Sequence, residues 1–387
     1  MPEPSTTREL LRQLIAFDTT SRNSNVPLIA FVEDYLAALG VRSLRVDFEP
    51  GKTNLWATIG PDIPGGIVLS GHTDVVPVDG QAWTSNPFDA VERDGRIFGR
   101  GSADMKGFLA ACLAVVPEFL RKPLKRPIHL AFSCDEEVGC TGVRPLIDRI
   151  VSGALPRPSA AFIGEPTLMK VVNGHKSTLS FITEVAGHEA HSSLSHQGVN
   201  AIMVAGELLG EINAIAREMR ERGDPTGRFD PPYTTVHVGT IAGGTARNIV
   251  PRTCTMRWEA RIIPGQDPDE IPQRLDRLAA TLLPAMRAVA PETGIVIRRN
   301  NTVPPLMPVP GSPAEALALQ LTGGNDTGTV PFGTEAGLFQ MAGIPAIICG
   351  PGSIEQAHKP DEFVAVSELE RCEGFLRRLA DYCTRPV

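Results

Sequence analysis

Ile67-Val68-Leu69-Ser70-Gly71-His72-Thr73-Asp74 is an apolar run that ends on an imidazole and a carboxylate. A short apolar run bounded by turn residues fits a strand buried on both faces, as in a parallel sheet. The pattern recurs along the chain. Ile128-His129-Leu130-Ala131-Phe132 leads to Glu136 and Glu137, Ala161-Phe162-Ile163-Gly164 leads to Glu165, and the run from Ala346 to Cys349 leads through Gly350-Pro351-Gly352 to His358. Asp104 follows the glycine-rich turn Gly99-Arg100-Gly101-Ser102. Parallel α/β sheets present ligand sites at the carboxyl ends of their strands. A donor set of His, Asp and Glu without Cys suits zinc or a similar divalent ion at a catalytic site.

Outward from these strands, helical and extended patterns alternate. Leu10, Leu11, Leu14 and Ile15 form one apolar stripe, a second helix is expected over Pro27 to Leu39, and Gly40 ends it. Gly107 to Leu120 and Thr141 to Val151 read as helices between strands, which is α/β layering. The pattern changes near Thr178. Leu179 to Val185 alternates and is expected to be an edge strand. A long helix follows over Asn200 to Arg222, then strands at Thr234 to Ile241 and Cys254 to Ile262, a helix capped by Asp267, and a strand at Gly294 to Arg298. That β-α-β-β-α-β order resembles a split βαβ unit. Pro313 to Thr322 and Ala346 to Cys349 return to the first pattern. The expected architecture is therefore an α/β catalytic domain with a mostly parallel sheet, made of residues 1–177 and 304–387. An α+β domain, residues 178–303, is inserted in it.

The chain has 387 residues, 42% hydrophobic and 21% charged, and a formal charge of −7. Two globular domains fit that length. The acidic balance gives no basic face for nucleic acid. No apolar run approaches the roughly 20 residues that span a bilayer. The N-terminus lacks the basic-then-apolar order of a secretory signal. Seven cysteines are scattered without a C-x-x-C pair, so a disulfide framework is not expected and a reducing cytoplasm is.

His72 and Asp74 are two apart and share a face of an extended backbone. One can bind metal while the other holds the second ring nitrogen. Each acid has a plain structural reading as well: Asp104 as a helix cap, Glu136-Glu137 as a solvated strand end, Glu165-Pro166 as a turn. Their joint placement at one sheet edge favours the metal reading. The motifs Ser70-Gly71-His72-Thr73-Asp74-Val75-Val76-Pro77, Gly99 to Gly107, Ser133-Cys134-Asp135-Glu136-Glu137-Val138-Gly139, Gly164-Glu165-Pro166 and Gly350 to His358 together resemble the dizinc amidohydrolases and peptidases. That family includes deacetylases of acetylornithine, desuccinylases, aminoacylases and glutamate carboxypeptidases. The resemblance runs from about residue 5 to 380. Gly333-Thr334-Glu335-Ala336 and the run Gly350 to Glu362 are most similar to the acetylornithine branch.

The resemblance implies hydrolysis of the acetyl amide of N2-acetyl-L-ornithine, in arginine biosynthesis. His72, Asp104 and Glu165 would hold one divalent ion and Asp104, Glu137 and His358 the other, with zinc expected and cobalt able to substitute. Glu136 would take a proton from the attacking water and pass it to the leaving amine. Asp74 would support His72, and a cis peptide is expected between Asp104 and Met105. In the insert, Gly187-His188-Glu189-Ala190-His191 would supply His191 as a donor to the oxyanion from the partner subunit of a homodimer. His188 and His196 read as loop histidines. Asn248 and Arg261 would bind the substrate carboxylate, Arg by its two-pronged fork; their plain readings are a turn residue and a solvated charge. Glu335 is a candidate for the substrate ammonium. Other family activities (aminoacylase, desuccinylase, dipeptidase), a two-metal phosphoesterase and a non-catalytic binding relative stand as alternatives. A phosphate loop is excluded, because Gly99-Arg100-Gly101-Ser102 lacks a Gly-Lys-Ser/Thr ending.

Overall fold

The computed structural model describes residues 5–386. The chain begins with α1 (Thr7–Ile15), α2 (Val26–Ala38), β1 (Ser43–Glu49), β2 (Lys52–Ile59), β3 (Ile67–His72), β4 (Val91–Arg93) and β5 (Arg96–Phe98). It continues through α3 (Gly107–Arg121), β6 (Ile128–Ser133), α4 (Arg144–Val151), β7 (Ala160–Pro166) and β8 (Val172–His175). Then come β9 (Ser177–Ala186), α5 (Ala201–Arg222), β10 (Thr235–Gly243), β11 (Thr253–Ile262), α6 (Glu270–Val289) and β12 (Gly294–Val303). The last stretch is α7 (Pro313–Thr322), β13 (Gly328–Val330), α8 (Ala336–Met341), β14 (Ala346–Gly350), β15 (Phe363–Ala365) and α9 (Val366–Cys383). No helix among the described residues is long and apolar enough to cross a membrane.

Two compact units result. The first comprises the chain through Gly174, Leu306–Gly328 and the chain from Thr334 onward; the second comprises His175–Pro305 and Thr329–Gly333. The first unit is built on an eight-stranded sheet, ordered β1-β2-β6-β3-β7-β14-β8-β13. Its four middle strands, β6, β3, β7 and β14, are parallel, while β1, β2 and β8 join antiparallel. Every residue of β3, β6, β7 and β14 is buried, as uninterrupted apolar runs require of strands covered on both faces. α3 is apolar almost all round and packs against α1 and α9. α1 starts at a capping box in which Thr6 and Glu9 satisfy each other's backbone N–H groups.

The second unit is a four-stranded antiparallel sheet, ordered β10-β11-β9-β12, with α5 and α6 packed on it. Phe181 and Trp258 stack in its core with centroids 4.1 Å apart. β9 is an interior strand, paired with β11 on one side and β12 on the other, so the expected edge strand at Leu179 to Val185 is corrected. Alternation reports one buried face, and in a one-faced antiparallel sheet interior strands alternate as edges do. The helix cap is corrected too. α6 begins at Glu270, and the Asp267 carboxylate accepts instead from the Asp269 N–H in a turn that precedes it. All seven cysteines are free and buried.

Candidate active site

Because β3, β6, β7 and β14 are parallel, their carboxyl ends share one edge. His72 lies opposite Ser133, and Gly350 lies opposite Pro166. That edge therefore receives His72 directly, Glu165 directly, Glu136 and Glu137 from the turn after β6, and His358 from the loop after β14. Asp104 comes from the segment before α3, and its peptide bond to Met105 is cis, as expected. Close approach explains two glycines beside candidate ligands. A Cβ on Gly164 would fall 2.0 Å from the Phe108 ring, and one on Gly71 would fall 2.7 Å from Met105.

Asp104 is central. Its Oδ1 lies 3.0 Å from His72 Nε2, which is itself 3.9 Å from a Glu165 oxygen. Its Oδ2 lies 3.3 Å from His358 Nε2, which is 3.1 Å from a Glu137 oxygen. Each Asp104 oxygen thus faces one imidazole, and each of those imidazoles faces one further carboxylate. Ligand-capable atoms of His72, Glu136 and Glu165 also lie within 4.8 Å of one another, as do those of His72, Asp104 and Glu137. Asp104 has a partner pair on both sides without Glu136, so Glu136 borders the cluster rather than completing it. His72, Asp104 and Glu165 are at most 5% exposed, whereas the His358 side chain is half exposed.

The donors are crowded carboxylates with two imidazoles among them. Burial pushes Glu136 up to about 8 and Glu137 up to about 7. Burial and then the Asp104 charge raise Glu165 well above the ordinary carboxylate range. His358 is drawn up to about 10 by its hydrogen bonds to Asp104 and Glu137. Burial opposes the charge on His72, yet the Asp104 hydrogen bond and the neighbouring carboxylates raise its pKa well above the usual imidazole value. Protons thus balance what a cluster of hard oxygen and imidazole donors is suited to hold as divalent cations. The residues fit two such cations that share Asp104.

Asp74 behaves differently from expectation. His72 Nδ1 pairs with the Asp74 backbone oxygen at 2.9 Å, while the nearest Asp74 carboxylate oxygen is 3.7 Å away. The carboxylate accepts instead from the backbone N–H groups of Glu136 (3.1 Å) and Glu137 (3.2 Å) and from the Ser21 hydroxyl (2.8 Å). It anchors the turn that carries both glutamates. Lys52 Nζ braces the same turn through Asp135 at 2.5 Å, both side chains being buried. Cys140 Sγ donates to Glu136 Oε1 at 3.1 Å, and Cys140 N to the Glu136 backbone oxygen. Glu335 is 1% exposed, and its two oxygens accept from the Ser70 and Ser133 hydroxyls. Its carboxylate is therefore turned to strand ends of the sheet, not to solvent where a substrate ammonium would arrive. None of these contacts has a motif of its own; the fixed offset Glu136 to Cys140 is the one local signal.

In the second unit, His191 and Asn248 are adjacent. His191 pairs as an isolated bridge with Ile249, and Ser192 N donates to the Asn248 oxygen. Beside them lies a cavity of about 500 Å³ lined by Ser192, Asn200, Gly243, Gly244 and Arg247 among others. His191 Nδ1 accepts from the Ser193 backbone N–H at 3.1 Å. A neutral imidazole that accepts at Nδ1 carries its proton on Nε2. Arg261 is elsewhere. It lies opposite Thr178 and Thr235, at the far end of β11 from the Asn248 turn, and its Nε pairs with Glu259 at 3.0 Å. Eight residue steps of strand, about 27 Å, separate Arg261 from Thr253.

The sequence profile of peptidase family M20/M25/M40 matches residues 68–382. An acetylornithine deacetylase of Myxococcus xanthus is 37% identical, covering 97% of each chain, and one of Proteus mirabilis is 34% identical, covering 96% of this chain and 95% of its own. Among solved structures, an M20 family metallo-carboxypeptidase of Sulfolobus solfataricus superposes with a TM-score of 0.74 at 19% identity, covering 99% of this chain and 100% of its own. A dinuclear metal-binding M20 peptidase of Bacillus subtilis gives 0.67 at 16%, covering 98% of each. The two structures share the fold, and the two sequences share the family: the chain belongs to peptidase family M20/M25/M40 and is a metal-dependent amidohydrolase.

Proposed function

We propose that this protein hydrolyses the acetyl amide of N2-acetyl-L-ornithine to L-ornithine and acetate, a step toward arginine. The observation that carries the chemistry is Asp104, whose two oxygens each face an imidazole that in turn faces a further carboxylate. The substrate is taken from the two relatives of that name that match nearly the whole chain. Two divalent ions, zinc in this proposal with cobalt as a substitute, would polarise the acetyl carbonyl and acidify the attacking water. His72, Asp104 and Glu165 would hold one, and Asp104, Glu137 and His358 the other. Glu136, at the border of the cluster, takes the proton from the water and gives it to the leaving amine. Its burial supports that task, since an acid–base group works best with a pKa near the working pH.

The second unit supplies the remaining groups in this proposal. His191, with its proton on Nε2, donates to the oxyanion. Asn248 and Arg261 bind the substrate carboxylate. One copy of the unit holds His191 and Asn248 at one end of its sheet and Arg261 at the other. A small amino acid cannot reach both ends, so the set closes on one substrate only when two copies contribute. That supports a homodimer with His191 and Asn248 acting on the partner's substrate. Seven buried free thiols suit the reducing cytoplasm.

A substrate panel with added zinc or cobalt tests the reading: acetylornithine, acetylmethionine, succinyl-diaminopimelate, a dipeptide and a phosphate ester. Acetylornithine is expected to show the highest kcat/KM and the phosphate ester no turnover. A higher kcat/KM for any other member overturns the assignment.

A further inference from the structure

Glu362 is fully buried and is not among the proposed ligands, yet four donors reach its carboxylate. Oε1 accepts from the backbone N–H groups of Ala103 (2.9 Å) and Asp104 (3.0 Å). Oε2 accepts from the backbone N–H of Gly101 (3.0 Å) and from Arg100 Nη1 (2.7 Å). Its backbone oxygen takes the N–H of Gly99 at 2.9 Å. The whole turn that ends in Asp104 is therefore wrapped on one side chain. β15 sets this up. It begins at the next residue and pairs with β5, Phe363 opposite Phe98, which lays Glu362 beside the start of the turn.

The same carboxylate reaches the other ligand loop. Arg100 is 1% exposed, stacks over Trp83, and donates from Nη2 to Gln81 Oε1 at 2.7 Å. Gln81 Nε2 donates in turn to the backbone oxygen of His358 at 3.0 Å. His358 holds a left-handed backbone, φ +62°. Such a conformation in a non-glycine residue persists where neighbours enforce it.

We propose that Glu362 is a positioning residue that sets both halves of the dinuclear site together. It fixes the backbone of the shared ligand Asp104 directly and that of His358 through Arg100 and Gln81. The proposal rests on the reading that Asp104 is shared by two ions. Unlike a ligand that belongs to one ion, Glu362 governs the one that belongs to both. Glutamine has the same shape and keeps one acceptor oxygen, but its NH2 must then face either the Ala103 and Asp104 N–H pair or the Gly101 N–H and Arg100, donors that need an acceptor, so it loosens the turn.

The test is metal binding. Apo protein, wild type and Glu362→Gln, is titrated with Co2+ against a chromophoric chelator, and the visible spectrum of each loaded form is recorded. Wild type is expected to bind two equivalents; binding of one would sink the shared-ligand reading itself, apart from any role of Glu362. Glu362→Gln is expected to weaken both equivalents by roughly 10–100-fold, the usual scale for groups that orient ligands, and to shift the cobalt absorption bands. His358→Ala, the comparison, is expected to weaken one equivalent only. Excess metal is expected to restore much of the turnover of Glu362→Gln. Two equivalents at wild-type affinity and spectrum, or loss of a single one, overturns the proposal. If Glu362→Gln does not fold, Gln81→Ala replaces it. That variant removes the link to His358 alone and is expected to weaken one equivalent, and unchanged binding of both would overturn the relay to His358.

Discussion

Glu136 and Glu137 are neighbours in the chain with different surroundings. The Glu137 side chain meets His358 across the cluster, while Glu136 meets the Cys140 thiol and borders His72 and Glu165. Replacing Glu136 by Gln is expected to leave two bound metal equivalents and lower kcat by roughly 10²–10⁴-fold. Metal analysis beside steady-state kinetics checks this, and near-normal kcat in a fully loaded variant would remove Glu136 from its role. The five ligand candidates were legible because each follows an apolar run or a glycine turn, so the edge of one sheet was implied by order alone. Glu362, Lys52 and Cys140 were not. Their contacts depend on how turns close in space, and a buried Glu or Lys has no periodic signature.

At the scale of elements, the parallel strands were readable as uninterrupted apolar runs, and β6 shows how tightly such a strand is held. His129 on β6 is fully buried, stacks on Trp56 at 4.7 Å, and meets the Thr58 hydroxyl at 3.0 Å. Burial pushes its pKa down from 6.5 to about 4. The unfolded chain takes up this proton below about pH 6.5 and the folded chain only near 4, so acidification between those values favours unfolding. The contribution is complete above pH 6.5, is lost as pH falls, and amounts to about 3 kcal/mol. His129→Gln is expected to flatten that part of the stability profile, read as the difference between variant and wild type in denaturant midpoints from pH 7 to 4. An unchanged slope would show that His129 does not titrate in that window. The edge position assigned to β9 failed for a reason also seen here: alternation gives the number of buried faces, and neighbours in a sheet are set by chain segments far away in sequence.

For the whole molecule, the order of elements announced an interrupted α/β unit, and the second unit carries the split βαβ order read from the sequence. The strand read at Cys254 to Ile262 already set Asn248 before its start and Arg261 near its far end; what the sequence could not convey is which strands flank it. If two copies complete each site, mixing inactive His191→Ala and Glu136→Ala proteins after subunit exchange is expected to recover activity, up to about a quarter of wild type if His191→Ala and Glu136→Ala subunits pair at random. No recovery despite proven exchange would place His191 on its own subunit's substrate. The interruption also has a consequence in time. His72, Asp104, Glu137 and Glu165 are all translated before the second unit begins, while β14 and His358 are translated after it ends. In the proposed assignment a nascent chain therefore carries His72, Asp104 and Glu165, the ligands of one half of the centre, before the insert is made, and lacks His358 of the other half until after it. The position of β14 between β7 and β8 leaves the sheet open until then. Synthesis itself imposes an order on the centre: the side chains of the His72 side are made first, and Glu362, which holds the Asp104 turn, arrives with the His358 side at the end.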